Sequence, residues 1–390
     1  MNGVRRSLLL LPFSQGSPSR RSIADLYKRP LAAALSRMKS PDHSATLVIA
    51  VVGSFLHQVP AGDSQVSWPC AQSTLAGLYS LASYICAQQS IATDTNAGPN
   101  SVDARVILVH DDRSKKSGRG AMLRTLSEFA GKGDSWTSIY HLESEEGRQL
   151  ADYYAEYVKG GQREAQSLVG LDCDNAMQRA HSPRVPTRSP SRQYKVVCLG
   201  GTFDHLHPGH KLLLSAATLL LRVPSTPESP CRFIIGVTGD EMLKNKKFAE
   251  YVQPWNTRAQ GVLEFLHAVV DHPTSAVPTF ASEGEGKLVG SFRGGAVVVE
   301  CVVFQDLYGP TISVEEIEAL VVSGETREGG KAVNDKRREQ GWRELDVYEV
   351  DVLDARGVGD EGEAEDFGAK ISSTAIRQQK ATGGSGGGRL

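Results

Sequence analysis

Three absences narrow the class of this 390-residue protein. Its formal net charge is only −2 at pH 7, so no overall field draws it onto nucleic acid or an anionic membrane surface. No apolar run approaches the roughly 18 residues that a membrane-spanning helix needs. The six cysteines lie far apart and form no C-x-x-C pair, which argues against a zinc site or a secreted disulfide framework. We therefore predict a soluble, cytoplasmic protein with neither a nucleic-acid nor a membrane partner.

The first 40 residues leave a second localisation open. They carry six arginines and two lysines against one acid, Asp25, and mitochondrial targeting segments have this Arg-rich, acid-poor composition. The apolar run Leu8–Leu11 is followed at once by Pro12, which would interrupt an amphipathic helix in its first turn. We favour a short buried strand with a basic flank over a targeting segment.

The chain divides into two halves around a polar linker. Residues 1–177 show a loose α/β pattern without a catalytic constellation; strands are predicted at 45–52 and 104–109, and helices at 72–87 and 121–130. Residues 178–192 are rich in Ser, Pro and Arg and have no hydrophobic period, which is typical of a linker. Residues 193–380 form the second predicted domain, and 381–390 a flexible Gly-rich tail.

The second half alternates strands and helices more sharply. Near-continuous apolar runs, typical of strands buried on both faces of a parallel sheet, occupy 194–199, 232–237, 296–304 and 319–322. Helices are predicted at 208–221, 257–268, 314–317, 330–341 and 374–379, and an edge strand at 345–353. This order predicts a Rossmann-like, doubly wound parallel sheet, preceded by a smaller α/β N-terminal region. Ligands of such folds bind outside the carboxyl ends of the strands.

The loop after the first strand of this domain is the most informative segment, and residues 200–210 read G-G-T-F-D-H-L-H-P-G-H. Gly200 and Gly201 permit a tight turn off the strand. His207 and His210 are three residues apart and share one face of the opening turn of a helix. N–H groups and the helix dipole favour anions at that position, so the loop predicts a phosphate site.

The residues of this loop also fit two other interpretations. His205, His207 and His210 could together ligate zinc, although no Cys, Asp or Glu stands at the usual spacing. The histidines could also be purely structural. A P-loop is excluded because no Lys-Ser/Thr follows the glycines, and G-x-G-x-x-G is absent.

Two motifs resemble those of the nucleotidylyltransferase superfamily. G-G-T-F-D-x-x-H-x-G-H resembles its T/H-x-G-H signature, and residues 371–377, I-S-S-T-A-I-R, resemble its I-S-S-T-x-x-R motif. The hydroxyls and N–H groups of Ser372–Thr374 can bind phosphate at a helix start, and Arg377 adds a positive fork. An ordinary capped helix is the alternative for the second motif. Together the motifs predict that both stretches meet around one triphosphate.

Further segments resemble eukaryotic phosphopantetheine adenylyltransferases, and they lie at 237–252, 253–258, 306–311 and 321–337. The resemblance covers roughly residues 194–377. It implies that ATP and 4′-phosphopantetheine, with Mg²⁺, give dephospho-coenzyme A and pyrophosphate by in-line attack without a covalent enzyme intermediate. Catalysis of that kind is positioning plus charge stabilisation.

The same resemblance implies a role for each residue. Thr202 would orient the attacking phosphate, His210 would donate to the α-phosphate, and Lys246 would bind the incoming phosphate as the third catalytic candidate. The implied ATP-binding residues are Gly200, Gly201, His207, His210, Ser323, Glu325, Ser372, Ser373, Thr374 and Arg377. The implied substrate-binding residues are Thr202, Lys244, Lys246, Lys247 and Arg258. No residue is expected to ligate a metal.

The chain also departs from related patterns. Bacterial enzymes of this activity carry an arginine where Ser323–Thr326 stands here. The acidic segment Asp360–Asp366 precedes the second motif, and we expect it to point into solvent. No P-loop follows Arg377, so the resemblance implies a monofunctional enzyme, as in fungi.

Two other functions stay open. One is another nucleotidylyltransferase, such as an NMN adenylyltransferase or a cytidylyltransferase; the other is a catalytically inactive scaffold. Cytidylyltransferases carry Arg-Thr-Glu-Gly where Gly368–Lys370 precedes Ile371 here, and NMN adenylyltransferases usually carry a proline at the position of Asp204. Both differences favour the phosphopantetheine enzyme. The N-terminal half could associate with other enzymes of coenzyme A synthesis.

Overall fold

The computed structural model describes residues 5–13, 19–58, 64–93, 98–113, 120–131, 136–159, 167–173, 190–224, 226–271, 280–354, 356, 358 and 372–383. These fall into two units. Unit 1 contains the described residues up to Ser191 and those from Leu353 to 358; unit 2 contains those within Arg192–Asp271, Ala276–Val352 and Gly368–Leu390. Most of the predicted linker, the acidic segment Asp360–Asp366 and most of the predicted tail lie outside the described residues.

Unit 1 is built on a six-stranded sheet in which every strand pair is parallel. Its strands are β1 (Arg5–Pro12), β2 (Ala45–Gly53), β5 (Val102–His110), β6 (Arg124–Thr125), β7 (Ser138–Leu142) and β8 (Leu168–Leu171), in the order β6-β5-β2-β1-β7-β8. A separate antiparallel pair is formed by β3 (Leu56–Gln58) and β4 (Ser64–Val66). The helices are α1 (Arg20–Met38), α2 (Trp68–Gln88), α3 (Leu126–Gly131) and α4 (Glu145–Lys159).

The run Leu8–Leu11 lies at the centre of this sheet. All four leucines are completely buried, and β1 pairs with β2 on one side and with β7 on the other. The predicted buried strand is therefore confirmed. The predicted helix at 121–130 is wrong in part, because Thr125 and Glu128 form reciprocal backbone–side-chain hydrogen bonds that start α3 only at Leu126.

Unit 2 is built on a seven-stranded sheet. Its order is β11 (Ala281–Ser282), β12 (Lys287–Phe292), β13 (Val297–Phe304), β10 (Cys231–Thr238), β9 (Val196–Gly201), β14 (Ala319–Ser323) and β15 (Asp346–Val350). The helices are α5 (Pro208–Thr218), α6 (Trp255–Val270), α7 (Arg327–Glu339) and α8 (Ser373–Gly383). Its five parallel strands follow the order 3-2-1-4-5 of Rossmann folds, which confirms the predicted fold class. Antiparallel β11 and β12 extend one edge.

The predicted helix at 314–317 is wrong. A 3₁₀ turn occupies Gly309–Ile312 instead. The carbonyl groups of Thr311, Val314 and Glu315 accept hydrogen bonds from the fully buried guanidinium of Arg337, so they are turned away from the pattern that a helix would require. The predicted edge strand is confirmed by β15, which ends the sheet.

The order of the unit 2 sheet reverses at β9, and this reversal marks the place where doubly wound folds bind ligands. Val321 of β14 stands opposite Leu199 of β9 in parallel register. Two residues further along each strand, Ser323 and Gly201 therefore reach the same carboxyl edge. This edge carries the loop of the first motif.

Unit 1 has the same order as unit 2. Its strands β1, β2, β5, β7 and β8 also follow 3-2-1-4-5, so the N-terminal region is itself a doubly wound sheet. A later segment completes the unit. Asp354 forms an ion pair with Arg20 at 3.1 Å, and its N–H donates to Ser80 Oγ at 3.2 Å.

No helix within the described ranges is both long and apolar enough to cross a membrane.

Candidate active site

The first motif begins at the end of β9 and runs into α5. Gly200 and Gly201 are the last residues of the strand, and the turn predicted there comes later, with left-handed backbone at Phe203 (φ 53°) and His205 (φ 46°). A Cβ on Gly201 would lie 2.9 Å from the Phe203 ring, whereas a Cβ on Gly200 would enter open space. Packing therefore requires glycine at 201, and Gly200 leaves the strand end open to a ligand.

Residues 251–253 hold this strained turn. The N–H of His205 donates to Gln253 Oε1 at 2.8 Å, and the N–H of Gln253 donates to Asp204 Oδ1 at 2.9 Å. The Nε2 atom of His205 lies 2.9 Å from the carbonyl oxygen of Tyr251. Left-handed backbone is costly for residues other than glycine, so these bonds stabilise a conformation that the loop would not adopt alone.

The side chain of Arg258 also contacts the backbone of this turn. Its side chain is fully buried, and it donates to the carbonyl groups of Gln253, Thr202 and Thr238 at 2.6–2.8 Å and to the Asp240 carboxylate at 2.6 Å. Burial lowers the pKa of Arg258, and Asp240 opposes that shift. Sequence reasoning assigns Arg258 to substrate binding, but four of its five N–H donors are engaged inside the protein. Its substrate-binding role stays a prediction.

His207 and His210 form the opening of α5. His207 is the N-cap, and its Nδ1 atom accepts the Gly209 N–H at 3.2 Å, which leaves the ring proton on Nε2. The two imidazole rings are stacked, with centroids 3.8 Å apart. Nδ1 of His210 is buried and finds no hydrogen-bond partner among the described residues. The pair therefore lies at a helix N-terminus with donor capacity remaining.

Both imidazoles are neutral at physiological pH. Burial lowers the pKa of His207 to about 3, and the charges of Lys211 and His205 add to this shift. Burial also lowers the pKa of His210 well below its ordinary value, and His207, His205 and Lys211 contribute. The rings can therefore donate hydrogen bonds to phosphate without a positive charge that would be costly to bury.

The zinc interpretation has no support in the described part of the chain. The Nε2 atom of His205 contacts the carbonyl oxygen of Tyr251, whereas the two stacked imidazoles are those of His207 and His210. Within the described ranges, no group of three or more His, Cys, Asp or Glu residues could hold a metal ion.

The second motif meets the first. Ser373 Oγ donates to the backbone oxygen of Asp204 at 3.0 Å, and Arg377 Nη1 donates to Asp204 Oδ2 at 2.6 Å. Ser372 caps α8 by accepting the Ala375 N–H at 3.2 Å. The expectation that the two motifs meet in space is confirmed. Ile371 lies outside the described residues.

Arg377 does not face outward. It is 3% exposed, and besides Asp204 its guanidinium donates to the Lys247 carbonyl at 3.0 Å and to Thr374 Oγ1 at 3.1 Å. Sequence reasoning gives Arg377 a direct grip on the ATP phosphates. That role stays a prediction, and all three guanidinium nitrogens donate to groups within the protein.

The lysine cluster lies on the loop after β10. Lys244, Lys246 and Lys247 are all exposed, and Lys244 forms an ion pair with Glu241. The carbonyl of Lys247 is fixed by Arg377. Lys246, the catalytic candidate, therefore extends from a backbone that is anchored beside it.

Ser323 and Glu325 follow β14 at the same edge. The Ser323 N–H donates to Thr326 Oγ1 at 3.1 Å in a capping box, while Glu325 is exposed. These residues stand at the reversal of strand order, beside the end of β9, as their predicted contact with the nucleotide requires.

Sequence reasoning missed three residues that shape the site. Asp204 and Gln253 hold the first motif, and Lys211 is a fully buried lysine directly after His210. An acidic residue inside an anion-binding motif is a signal that could have pointed to Asp204, because it needs an internal cation to be tolerated there.

Comparisons with known proteins give one family model and several relatives. A family model described as a domain of unknown function (DUF8446) matches residues 1–174. Phosphopantetheine adenylyltransferase of Saccharomyces cerevisiae is 35% identical over 205 residues, 53% of each chain. Phosphopantetheine adenylyltransferase of Pyrococcus horikoshii is 30% identical over 186 residues, which are 48% of this chain and 90% of the archaeal one. The chain belongs to the phosphopantetheine adenylyltransferase family.

The family relation does not cover the whole length of the fungal relatives. The match spans 53% of the budding-yeast adenylyltransferase. An uncharacterized protein of Schizosaccharomyces pombe is 31% identical over 252 residues, 64% of this chain and 66% of its own.

Proposed function

We propose that this protein transfers the adenylyl group of ATP to 4′-phosphopantetheine. A phosphate oxygen of the acceptor forms a bond to the α-phosphorus, the bond from that phosphorus to the β-bridging oxygen breaks, and pyrophosphate leaves. No covalent bond to the protein is needed. The observation that carries the proposal is the contact of the two motifs, through Asp204, Ser373 and Arg377, at the carboxyl edge of the sheet.

The α-phosphate is proposed to lie beside the first motif. The neutral imidazoles of His207 and His210 and the N-terminus of α5 offer donors where charge builds in the transition state. Open space next to Gly200 gives a nucleotide room to approach the strand end. His210, whose ring is stacked on that of the N-cap His207, is the proposed principal donor.

The β- and γ-phosphates are proposed to bind at the start of α8. Ser372, Ser373 and Thr374 stand there, and the first N–H groups of any helix lack an internal acceptor. Ser323 and Glu325 are proposed to lie along the nucleoside. In this assignment Arg377 orients the start of α8 and does not touch phosphate.

The acceptor is proposed to enter between Thr202 and the lysine loop. Thr202 follows β9, and its carbonyl accepts a hydrogen bond from Arg258, so its backbone is held at the start of the first motif's turn. Lys246, with Lys244 and Lys247, supplies exposed positive charge for the acceptor phosphate. Holding both reactants in line supplies much of the rate in reactions of this type.

Magnesium is proposed to enter with ATP rather than to reside in the protein. Mg²⁺ takes oxygen ligands, whereas the groups gathered here are mostly N–H, ammonium and imidazole donors. The carboxylate of Asp204 already accepts a hydrogen bond at each oxygen. We therefore expect the phosphate oxygens of ATP to hold the ion.

A cytoplasmic location and association of unit 1 with other enzymes of coenzyme A synthesis are further proposals. The absence of catalytic motifs in residues 1–177 supports a docking role for unit 1. Imaging of a tagged full-length protein tests the location, and reconstitution with purified enzymes that make or use the acceptor tests the association.

An acceptor comparison tests the reaction. The purified full-length protein receives ATP with 4′-phosphopantetheine, NMN or phosphocholine, and pyrophosphate release is measured. We expect release with 4′-phosphopantetheine only, and we expect the His210→Ala variant to lose it. Release with NMN or phosphocholine alone identifies a different nucleotidylyltransferase, and no release with any acceptor contradicts the proposed function.

A further inference from the structure

We propose that Asp204 and Arg377 form a positioning pair. The pair holds the first motif, the lysine loop and the start of α8 in a fixed arrangement relative to one another. The inference rests on the proposed function and extends it to two residues that touch neither reactant. It assigns to the aspartate of the first motif a role that its position among phosphate-binding residues does not suggest.

Asp204 joins two parts of the site through its carboxylate. The side chain is completely buried. Oδ1 accepts the Gln253 N–H at 2.9 Å, and Oδ2 accepts Arg377 Nη1 at 2.6 Å. Its backbone oxygen accepts the hydroxyl of Ser373 at 3.0 Å. One residue therefore connects the turn after β9 with the segment before α6 and with α8.

Arg377 extends this connection to the lysine loop. Its Nε atom donates to the Lys247 carbonyl at 3.0 Å, and Nη2 donates to Thr374 Oγ1 at 3.1 Å. The planar guanidinium has a fixed geometry, so it sets three acceptors relative to one another. The proposed binding groups for the acceptor phosphate and for the β- and γ-phosphates are thus held by the same side chain.

Because the pair is buried, it can fix the position of α8 relative to the first motif. A buried charge that loses its partner is strongly destabilising, so α8 cannot slide along the first motif without a large cost. An apolar contact would tolerate such a shift. A displacement of about 1 Å is enough to impair a reaction that depends on in-line alignment.

A direct contact between Arg377 and phosphate is the competing interpretation. Under that interpretation, Asp204→Asn removes a negative charge near the nucleotide and frees the guanidinium, so ATP binding stays the same or strengthens. Under the positioning interpretation, Asp204→Asn and Arg377→Met both disorder the same contact and both weaken binding of ATP.

The test is a double-mutant cycle in the full-length protein. Asp204→Asn, Arg377→Met and the double variant are compared by steady-state kinetics and by calorimetric binding of a non-hydrolysable ATP analogue. We expect each single variant to raise KM for ATP and for 4′-phosphopantetheine about tenfold, and the double variant to be no worse than either, since residues that act as one unit are not additive. Unchanged ATP affinity in Asp204→Asn, or additive effects, overturns the proposal.

Two further variants distinguish the proposed positioning role from a general loss of folding. Arg377→Lys keeps a cation for Asp204 but loses the fork that reaches Lys247, so we expect KM for 4′-phosphopantetheine to rise while analogue binding stays near wild type. Weaker binding of the analogue with an unchanged KM for 4′-phosphopantetheine contradicts the proposal. Glu300→Gln, which removes the charge of a largely buried carboxylate paired with the partly exposed Arg232 and Lys287, is the matched control, and its KM values are expected to stay unchanged.

Hydrogen exchange separates failure of this inference from failure of the proposed function. If wild type releases no pyrophosphate with any acceptor, the proposed function fails, but the pair can still be tested. In Asp204→Asn we expect faster amide exchange at residues 244–247 and 373–377 than in wild type or in Glu300→Gln. Equal exchange at those segments overturns the coupling.

Discussion

The imidazole rings of His207 and His210 are stacked at 3.8 Å between centroids, with 28° between their planes, at the first turn of α5. The stack restrains both rings, and their surroundings keep both neutral. Restrained donors lose little entropy when a phosphate binds, so the arrangement is suited to a reaction that needs alignment more than chemistry.

Replacement of His210 by alanine should lower kcat by about 10²–10³-fold, because one transition-state donor is lost. Far-UV circular dichroism and the unfolding temperature should stay close to those of wild type. His43→Ala, at an exposed position in unit 1, is the matched control and should keep full activity. Normal turnover by folded His210→Ala would show that the assigned role is wrong.

Acid should destabilise the protein through the histidine pair. The pKa of His207 is about 3 in the folded state, and an unfolded histidine titrates near 6.5. Between these values the unfolded state binds more protons, so the free energy of unfolding falls as the pH drops below about 6.5. Thermal unfolding from pH 7.5 to 5 measures this slope, and we expect a shallower slope in His207→Asn. An identical slope would contradict the assignment.

Thiol reagents should distinguish two classes of cysteine. Burial raises the pKa of Cys198 and Cys231 to about 12, and it also raises that of Cys301, so their reactive thiolate forms are scarce at neutral pH. Cys70 and Cys173 are partly exposed. Mass spectrometry after brief alkylation should find label at these two positions in the native protein, and at all six cysteines after denaturation. Rapid native labelling of Cys198 would contradict the buried strand.

A fragment that starts at residue 192 should fold and keep adenylyl transfer, because the whole seven-stranded sheet and both motifs lie in unit 2. In this fragment Asp354 loses its contacts in unit 1, which are the ion pair with Arg20 and the hydrogen bond to Ser80. We therefore expect faster proteolysis around Asp354 than in the full chain, with kcat within about threefold of it. An insoluble fragment would show that the units depend on each other to fold.

Periodicity predicted the elements that lie deep in the sheets. The runs at 194–199, 232–237 and 319–322 correspond to β9, β10 and β14 in the structure. Strands buried on both faces are apolar throughout, so their sequences give a strong local signal. The start of α5 was also predictable, since Pro208 follows a capping residue. Local pattern was therefore sufficient to place the edge that carries the site.

Long-range contacts explain what sequence reasoning missed. Arg258 and Arg377 are positively charged, as side chains that bind phosphate commonly are. Only the folded chain reveals that carbonyl groups and carboxylates from other segments accept their hydrogen bonds. The helix expected at 314–317 failed for the same reason, because Arg337 lies more than 20 residues away along the chain. Such contacts have no local signature, and a single sequence does not encode them in its periodicity.

The contacts of Asp354 within unit 1 have a consequence for synthesis on the ribosome. The strands of unit 1 emerge early, but Asp354, which contacts Arg20 and Ser80, emerges only after β15 of unit 2 has been made. The α8 helix, with its serine and threonine hydroxyls, emerges later still. Maturation of both units is thus expected to finish in the same late interval of translation, so that stalled, incomplete chains would hold a nearly finished scaffold without a working phosphate site.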